Sequence, residues 1–188
     1  MKAQEIYDIL RAGGLSRAGA LGMLGNLAAE STPELKPNIV QRGFVSISDE
    51  EYTRQVDNGT RNFEDNIGYG LAQFTFWSRK RALLSYAKAY GVSVGDGYMQ
   101  VNFILYELRS DFMGLFKLLC ESNDIDTCSD RVCDTYERPA VNNYMTRRNF
   151  AHKFENECTD KPNDVVKTKE RALELLDELR EIINGMEV

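Results

Sequence analysis

Apolar residues in the first part of the chain recur at helical steps, with a stop or start signal at nearly every break. Ile6, Ile9 and Leu10 share one face of residues 3–12, and Gly13-Gly14 marks the stop. Ser16 is placed to cap a second helix in which Leu21, Leu24 and Ala28 recur at i, i+3 and i+7. Residues 31–47 hold Pro33 and Pro37 and read as loop. Ser48-Asp-Glu-Glu51 has the form of a capping box, opening a short helix that closes at Asn58-Gly59. Residues 60–76 break the helical period. Gly68 and Gly70 flank Tyr69, and aromatic or branched residues alternate with polar ones, which predicts a small irregular β-hairpin region.

Ser78 is expected to cap RKRALLSYAKAY, ending at Gly91, and Asp96 to cap a helix carrying Val101, Ile104, Leu105 and Leu108. Further helices are predicted over 111–121, 126–136 and 142–156, the middle one stopped by Pro139. The pattern therefore describes a mainly α (α+β) helical bundle over residues 1–158. A helical extension follows over 159–188, where Val165, Lys169, Ala172, Leu176, Leu179 and Ile183 form a heptad seam. Three heptads suit docking on the domain as well as self-association.

The length of 188 residues is enough for one well-cored domain. The formal charge of −6 is uneven: residues 1–110 carry 12 basic and 12 acidic side chains, so the acidic excess lies wholly beyond them. No basic stripe interleaves with aromatics, which argues against a nucleic-acid partner. No apolar run reaches the roughly 18–20 residues of a membrane span, and MKAQEIYDILRAGG lacks a signal-peptide h-region. Cys120, Cys128, Cys133 and Cys158 do not have zinc-site spacing, and His152 is the single histidine. Free thiols and one or two disulfides both remain open. No serine elbow or metal-ligand motif is present, so a peptidase or metal-dependent amidase is disfavoured, and neither a metal nor a cofactor is expected.

One carboxylate stands out. The run LGMLGNLAAES (21–31) ends on Glu30, where a helix C-terminus already presents negative charge. Beside that pole and against nonpolar walls the charged form is disfavoured, so Glu30 is expected to hold its proton near neutral pH. That suits a general acid for glycosidic bond cleavage. A solvated glutamate that merely follows a helix is the alternative.

The neighbours of Glu30 tip this balance. Glu30-Ser31 followed by Gly70-Leu71-Ala72-Gln73 resembles the catalytic glutamate-serine pair and Gly-Leu-Met-Gln strand of goose-type lysozymes and soluble lytic transglycosylases, with Ala72 in place of methionine. A closer resemblance is to the phage tail lysozyme family. It lies in GNLAAES (25–31), DNIGYGLAQFTFWSRKRALLSYA (65–87), MQVNFILYEL (99–108) and YERPA (136–140), and spans about residues 5–157. Phe74 replaces the family's usual tryptophan and keeps an aromatic wall there. Residues 160–188 lie outside the resemblance.

The resemblance implies a lysozyme-like fold and a muramidase that cuts the MurNAc–GlcNAc backbone of bacterial peptidoglycan from a phage tail. Tail proteins are then possible partners, and nucleic acid and membrane are not. It implies Glu30 as general acid and Asp65 as the residue that positions or activates water, with Glu64 and Asp57 as the competing carboxylates. Ser31, Tyr69, Gly70, Gln73 and Thr75 would line the substrate site. Thr75 occupies a position where goose-type enzymes can carry an aspartate, so that assistance is expected to be missing. Gln73 offers a donor and an acceptor to a sugar, and Tyr69, Phe74 and Trp77 offer flat faces, with core packing as their alternative role. Asp65 can equally be a turn-capping residue. YERPA reads as supporting the fold more than the chemistry. Three other readings stay open: a lytic transglycosylase with the same fold, an endolysin, and a tail module that holds glycan without cutting it.

Overall fold

A computed structural model describes residues 1–160, and the predicted heptad seam lies outside them. Its helices are α1 (Ala3–Ala12), α2 (Arg17–Glu30), α3 (Asp49–Asp57), α4 (Trp77–Tyr90), α5 (Gly97–Ser110), α6 (Met113–Glu121), α7 (Ile125–Val132) and α8 (Tyr144–Glu157). A single π-helical turn, Cys133–Glu137, runs on from α7. The architecture is mainly helical, as the apolar periodicity and the family resemblance both led one to expect.

The capping signals acted where they were read. Ser16 accepts from the Gly19 amide, Ser48 from Glu51 and Asp96 from Met99, each satisfying one orphan donor at a helix start. Gly91 closes α4 with φ 66°, a left-handed conformation that suits glycine.

The bundle is organised around α2. Its residues from Ala18 to Ala28 are all buried, so it is not an amphipathic surface helix but the axis on which α1, α6, α7 and α8 pack. Gly19, Gly22 and Gly25 make this possible. A β-carbon on Gly19 would sit 2.0 Å from the Leu119 carbonyl of α6. One on Gly22 would be 2.7 Å from the Ser129 amide of α7, and one on Gly25 would be 2.5 Å from the Arg147 carbonyl of α8. Three neighbouring helices therefore approach α2 closer than any side chain allows. The last turn of α2 leaves this packing, and Glu30 is half-buried at its end.

Three local expectations are corrected. Residues 60–76 form no hairpin of their own: the bridge pairs Tyr69 with Val40, in the loop after α2. The glycines bend the chain too sharply for two strands, and Gly70 has φ 80°. Ser78 is not a cap, because α4 begins at Trp77 with Phe76 preceding it and no side-chain cap bond. The helix predicted over 126–136 is divided, with a π turn ending at Arg138 in the left-handed conformation just before Pro139.

Candidate active site

The end of α2 is tied to α7 and α8 by a buried polar chain. Asn26, fully buried, donates through Nδ2 to the carbonyls of Gly22 (2.8 Å) and Ser129 (2.9 Å). Its Oδ1 accepts from Arg147 Nη1 at 2.9 Å. Arg147, 4% exposed, donates through Nη2 to Glu30 Oε1 at 2.5 Å. One turn of α2 thus orients an arginine with Asn26 and meets it again with Glu30 at i+4. The expectation of nonpolar walls around Glu30 is thereby corrected: a buried guanidinium from α8 stands against it, an element the local sequence pattern did not contain.

A second group of charges adjoins the first. Glu107 of α5 takes two hydrogen bonds from Arg79 of α4, both at 2.8 Å, and accepts from the Tyr136 hydroxyl at 2.6 Å. Arg79 also lies over the rings of Tyr136 and Phe74, at 4.6 and 4.9 Å from their centroids. Beside Tyr136, the carboxyl of Glu137 has its Oε1 sealed from solvent with no hydrogen-bond partner. Burial pushes Glu137 well above the ordinary carboxylate range, and the charge of Glu30 pushes it further. Arg147 Nε is likewise sealed and unpartnered. Burial also raises the Cys133 thiol, which lies in the field of Arg147, Glu30 and Glu137. All four cysteines are free.

The segment 65–75 is a tightly bonded platform. Asp65 accepts from the Nζ of Lys80 and from the Tyr52 hydroxyl (2.8 Å), and its Oδ1 also accepts from the Ile67 amide (3.1 Å). Lys80 has no exposed surface and gives a further bond to the Ile67 carbonyl. Burial pulls its ammonium below the usual lysine value, and Asp65 opposes that pull. Glu64 is bound bidentately by Arg81, which holds it below its ordinary value. Asp57 accepts from the Ser93 hydroxyl and the Val94 amide. Each of the three acids between 57 and 65 therefore already has donors from its own fold.

The remaining residues expected in the substrate site divide by depth. Tyr69 is fully buried, stacked on Tyr52 at 5.6 Å and hydrogen-bonded to Thr53, so its ring is a core element and not an open sugar platform. Phe74 is buried against Phe103. Gly70 makes room for Gln100, whose Oε1 would lie 2.6 Å from a β-carbon there. Gln73 takes a left-handed φ of 42° and donates to the carbonyls of Ile39 and Gly70. Thr75 is exposed and donates to the Gln73 carbonyl. Ser31 donates back to Leu27, closing α2 beside Glu30. In this segment the exposed aromatics are Phe76 and Trp77, 61% and 43% exposed with centroids 6.1 Å apart, and the Arg81 guanidinium lies over the Trp77 ring at 4.9 Å.

Sequence reasoning missed Asn26, Arg147 and the placement of Glu137. The YERPA block carried the signal for the last, but nothing local tied it to Glu30. No helix among the described residues is long and apolar enough to cross a membrane.

The described residues thus form a helical domain built on a buried axis, with Glu30 and Arg147 paired at the axis end. The sequence model of the phage tail lysozyme family matches residues 1–157, and the chain belongs to that family. Membership supports a lysozyme-like role in degrading cell-wall glycan in the setting of a phage tail. A search of the curated proteins finds no match.

Proposed function

We propose that the chain is a peptidoglycan glycosidase that cuts between N-acetylmuramic acid and N-acetylglucosamine, with Glu30 as general acid, serving wall penetration by a phage tail. The observation that carries this reading is the placement of Glu30. It stands at the half-buried end of the central helix, oriented by Arg147, in a chain of the phage tail lysozyme family. In this mechanism the Glu30 carboxyl protonates the glycosidic oxygen as the bond breaks, and ionised carboxylates near the sugar stabilise the developing oxocarbenium charge. Phe76 and Trp77 offer stacking faces for sugar rings, and Gln73 and Thr75 offer polar contacts at the platform edge.

For the attacking group, Asp65 is the proposed water-positioning carboxylate. A second reading draws on its bonds to Lys80 and Tyr52, and on the donors already held by Glu64 and Asp57. A lytic transglycosylase needs no second carboxylate as base, because the muramic acid 6-hydroxyl attacks in place of water. Mass spectrometry of purified peptidoglycan after digestion separates the two. Hydrolysis leaves reducing muramic acid ends, transglycosylation leaves 1,6-anhydro ends, and an uncut glycan refutes both.

A further inference from the structure

The end of α2 collects three carboxylates and two arginines: Glu30, Glu107 and Glu137 with Arg79 and Arg147. Arg79 is taken by Glu107 through two bonds, and Arg147 by Glu30 and Asn26. Glu137 is the carboxyl left over. Its Oε1 is sealed and unpartnered, and so is Nε of Arg147 across the same cluster. Ionised, Glu137 would carry a desolvation cost at that sealed oxygen, which Arg79 and Arg147, already bonded to other carboxylates, offset only in part. A neutral carboxylic acid carries none of that charge. Two acids sharing one surrounding commonly part in this way, one ionised and one holding the proton.

We propose that Glu137 is a positioning residue that holds the catalytic proton: Glu30 and Glu137 act as a pair around Arg147 that keeps one proton between them, resident on Glu137 before the substrate binds. This rests on Glu30 being the group that acts on the glycosidic oxygen. The O–H bond of Glu137 breaks as an O–H bond forms on Glu30, directly or through one water. Glu30 then delivers that proton to the glycosidic oxygen as the C–O bond breaks. The attacking water, or the muramic acid 6-hydroxyl, loses a proton that returns to the pair, which ends the cycle with one proton as it began. The groups facing Glu137 are Glu30 of α2, Arg79 of α4, Glu107 of α5 and Arg147 of α8, with Tyr136 and Cys133 on its own turn. Glu30 and Glu107 favour its neutral form and the arginines oppose it. Glu137 is the last residue of the π turn, next to its left-handed cap Arg138.

The test combines carboxyl-carbon NMR of the glutamate-labelled full chain with pH–rate profiles on purified peptidoglycan. The Glu137 signal, assigned by its loss in Glu137→Gln, is expected at a protonated shift at neutral pH. It should titrate well above an ordinary glutamate, and move down in Glu30→Gln. In Glu137→Gln the alkaline limb of the activity profile should shift to lower pH by more than one unit. That variant should lose more than tenfold activity near pH 8 while staying close to the parent near pH 5. A Glu137 signal that titrates in the ordinary range overturns the proposal, as does a variant profile that superimposes on the parent after scaling. If Glu137→Gln fails to fold, Glu137→Asp supplies the assignment by the same loss of signal, and the parent and Glu30→Gln titrations decide. Activity retained by Glu30→Gln would refute the general acid instead, and the Glu137 titration would still be read independently.

Discussion

Gly25→Ala probes how the central helix sets the site. In an unobstructed helix interior this change stabilises by about 1 kcal/mol, because alanine has the better helix propensity. Here the new methyl would stand 2.5 Å from the Arg147 carbonyl and 2.8 Å from the amide nitrogen of Ala151. These are backbone atoms of α8 and cannot rotate away, so α8 must retreat by roughly 1 Å to reach ordinary contact. Overpacking of a close-packed interior costs about 1–3 kcal/mol, and displaced backbone lies at the upper end. The net expectation is a loss of about 1–2 kcal/mol, or a fall in Tm of about 2–8 °C for a domain of this size. Arg147 moves with α8, so cleavage of peptidoglycan should fall even where the variant is fully folded. Gly114→Ala supplies the control: it lies in α6 with nothing near its β-carbon and should gain up to about 1 kcal/mol. Urea and thermal melts followed by circular dichroism measure both. A Gly25→Ala protein as stable as the parent, or more so, would refute the close approach of α2 and α8.

The other predictions concern charge. Asp65→Asn leaves the buried Lys80 ammonium without its counter-ion and should cost about 2–3 kcal/mol, reduced from the value for a fully buried pair by the partial exposure of Asp65. Asp65→Asn/Lys80→Met should recover much of that stability. Recovered activity would assign Asp65 to support of the platform, and an inactive, stable double variant would keep it as the water-positioning group. Tyr136→Phe removes the 2.6 Å bond to Glu107 and should lower stability by about 1–2 kcal/mol in urea melts, with far smaller change expected from Tyr106→Phe at the surface. Glu137 binds its proton more tightly folded than unfolded. Its contribution is therefore complete below the ordinary glutamate value near about 4.3 and is lost as pH rises through its raised folded value. Stability measured by urea titration should fall with rising pH across that window, and Glu137→Gln should flatten the slope.

Much of the helix order is legible in short-range chemistry. Ser16, Ser48 and Asp96 cap the helices they were expected to cap, because capping depends only on residues within one turn. The depth of α2 was not legible from Leu21, Leu24 and Ala28, which suggest one buried stripe. It follows from Gly19, Gly22 and Gly25, whose meaning emerges only when α6, α7 and α8 close on them. Tyr69 and Phe74 stayed open between core and sugar site for a related reason: their chemistry is the same in both, and burial alone separates the two roles. The surroundings of Glu30 come from a contact spanning 117 positions, so no local pattern could have supplied Arg147. Glu137 sat in a motif already noticed, but its charge balance depends on side chains from α2, α4, α5 and α8.

The most direct test of the central claim is the rate of dye release from labelled peptidoglycan by Glu30→Gln beside the parent, both checked for identical circular dichroism and melting. A general acid contributes about 10²–10⁴-fold. The account predicts a folded Glu30→Gln protein slowed by at least about 100-fold, and a folded variant that cuts at the parental rate would contradict it.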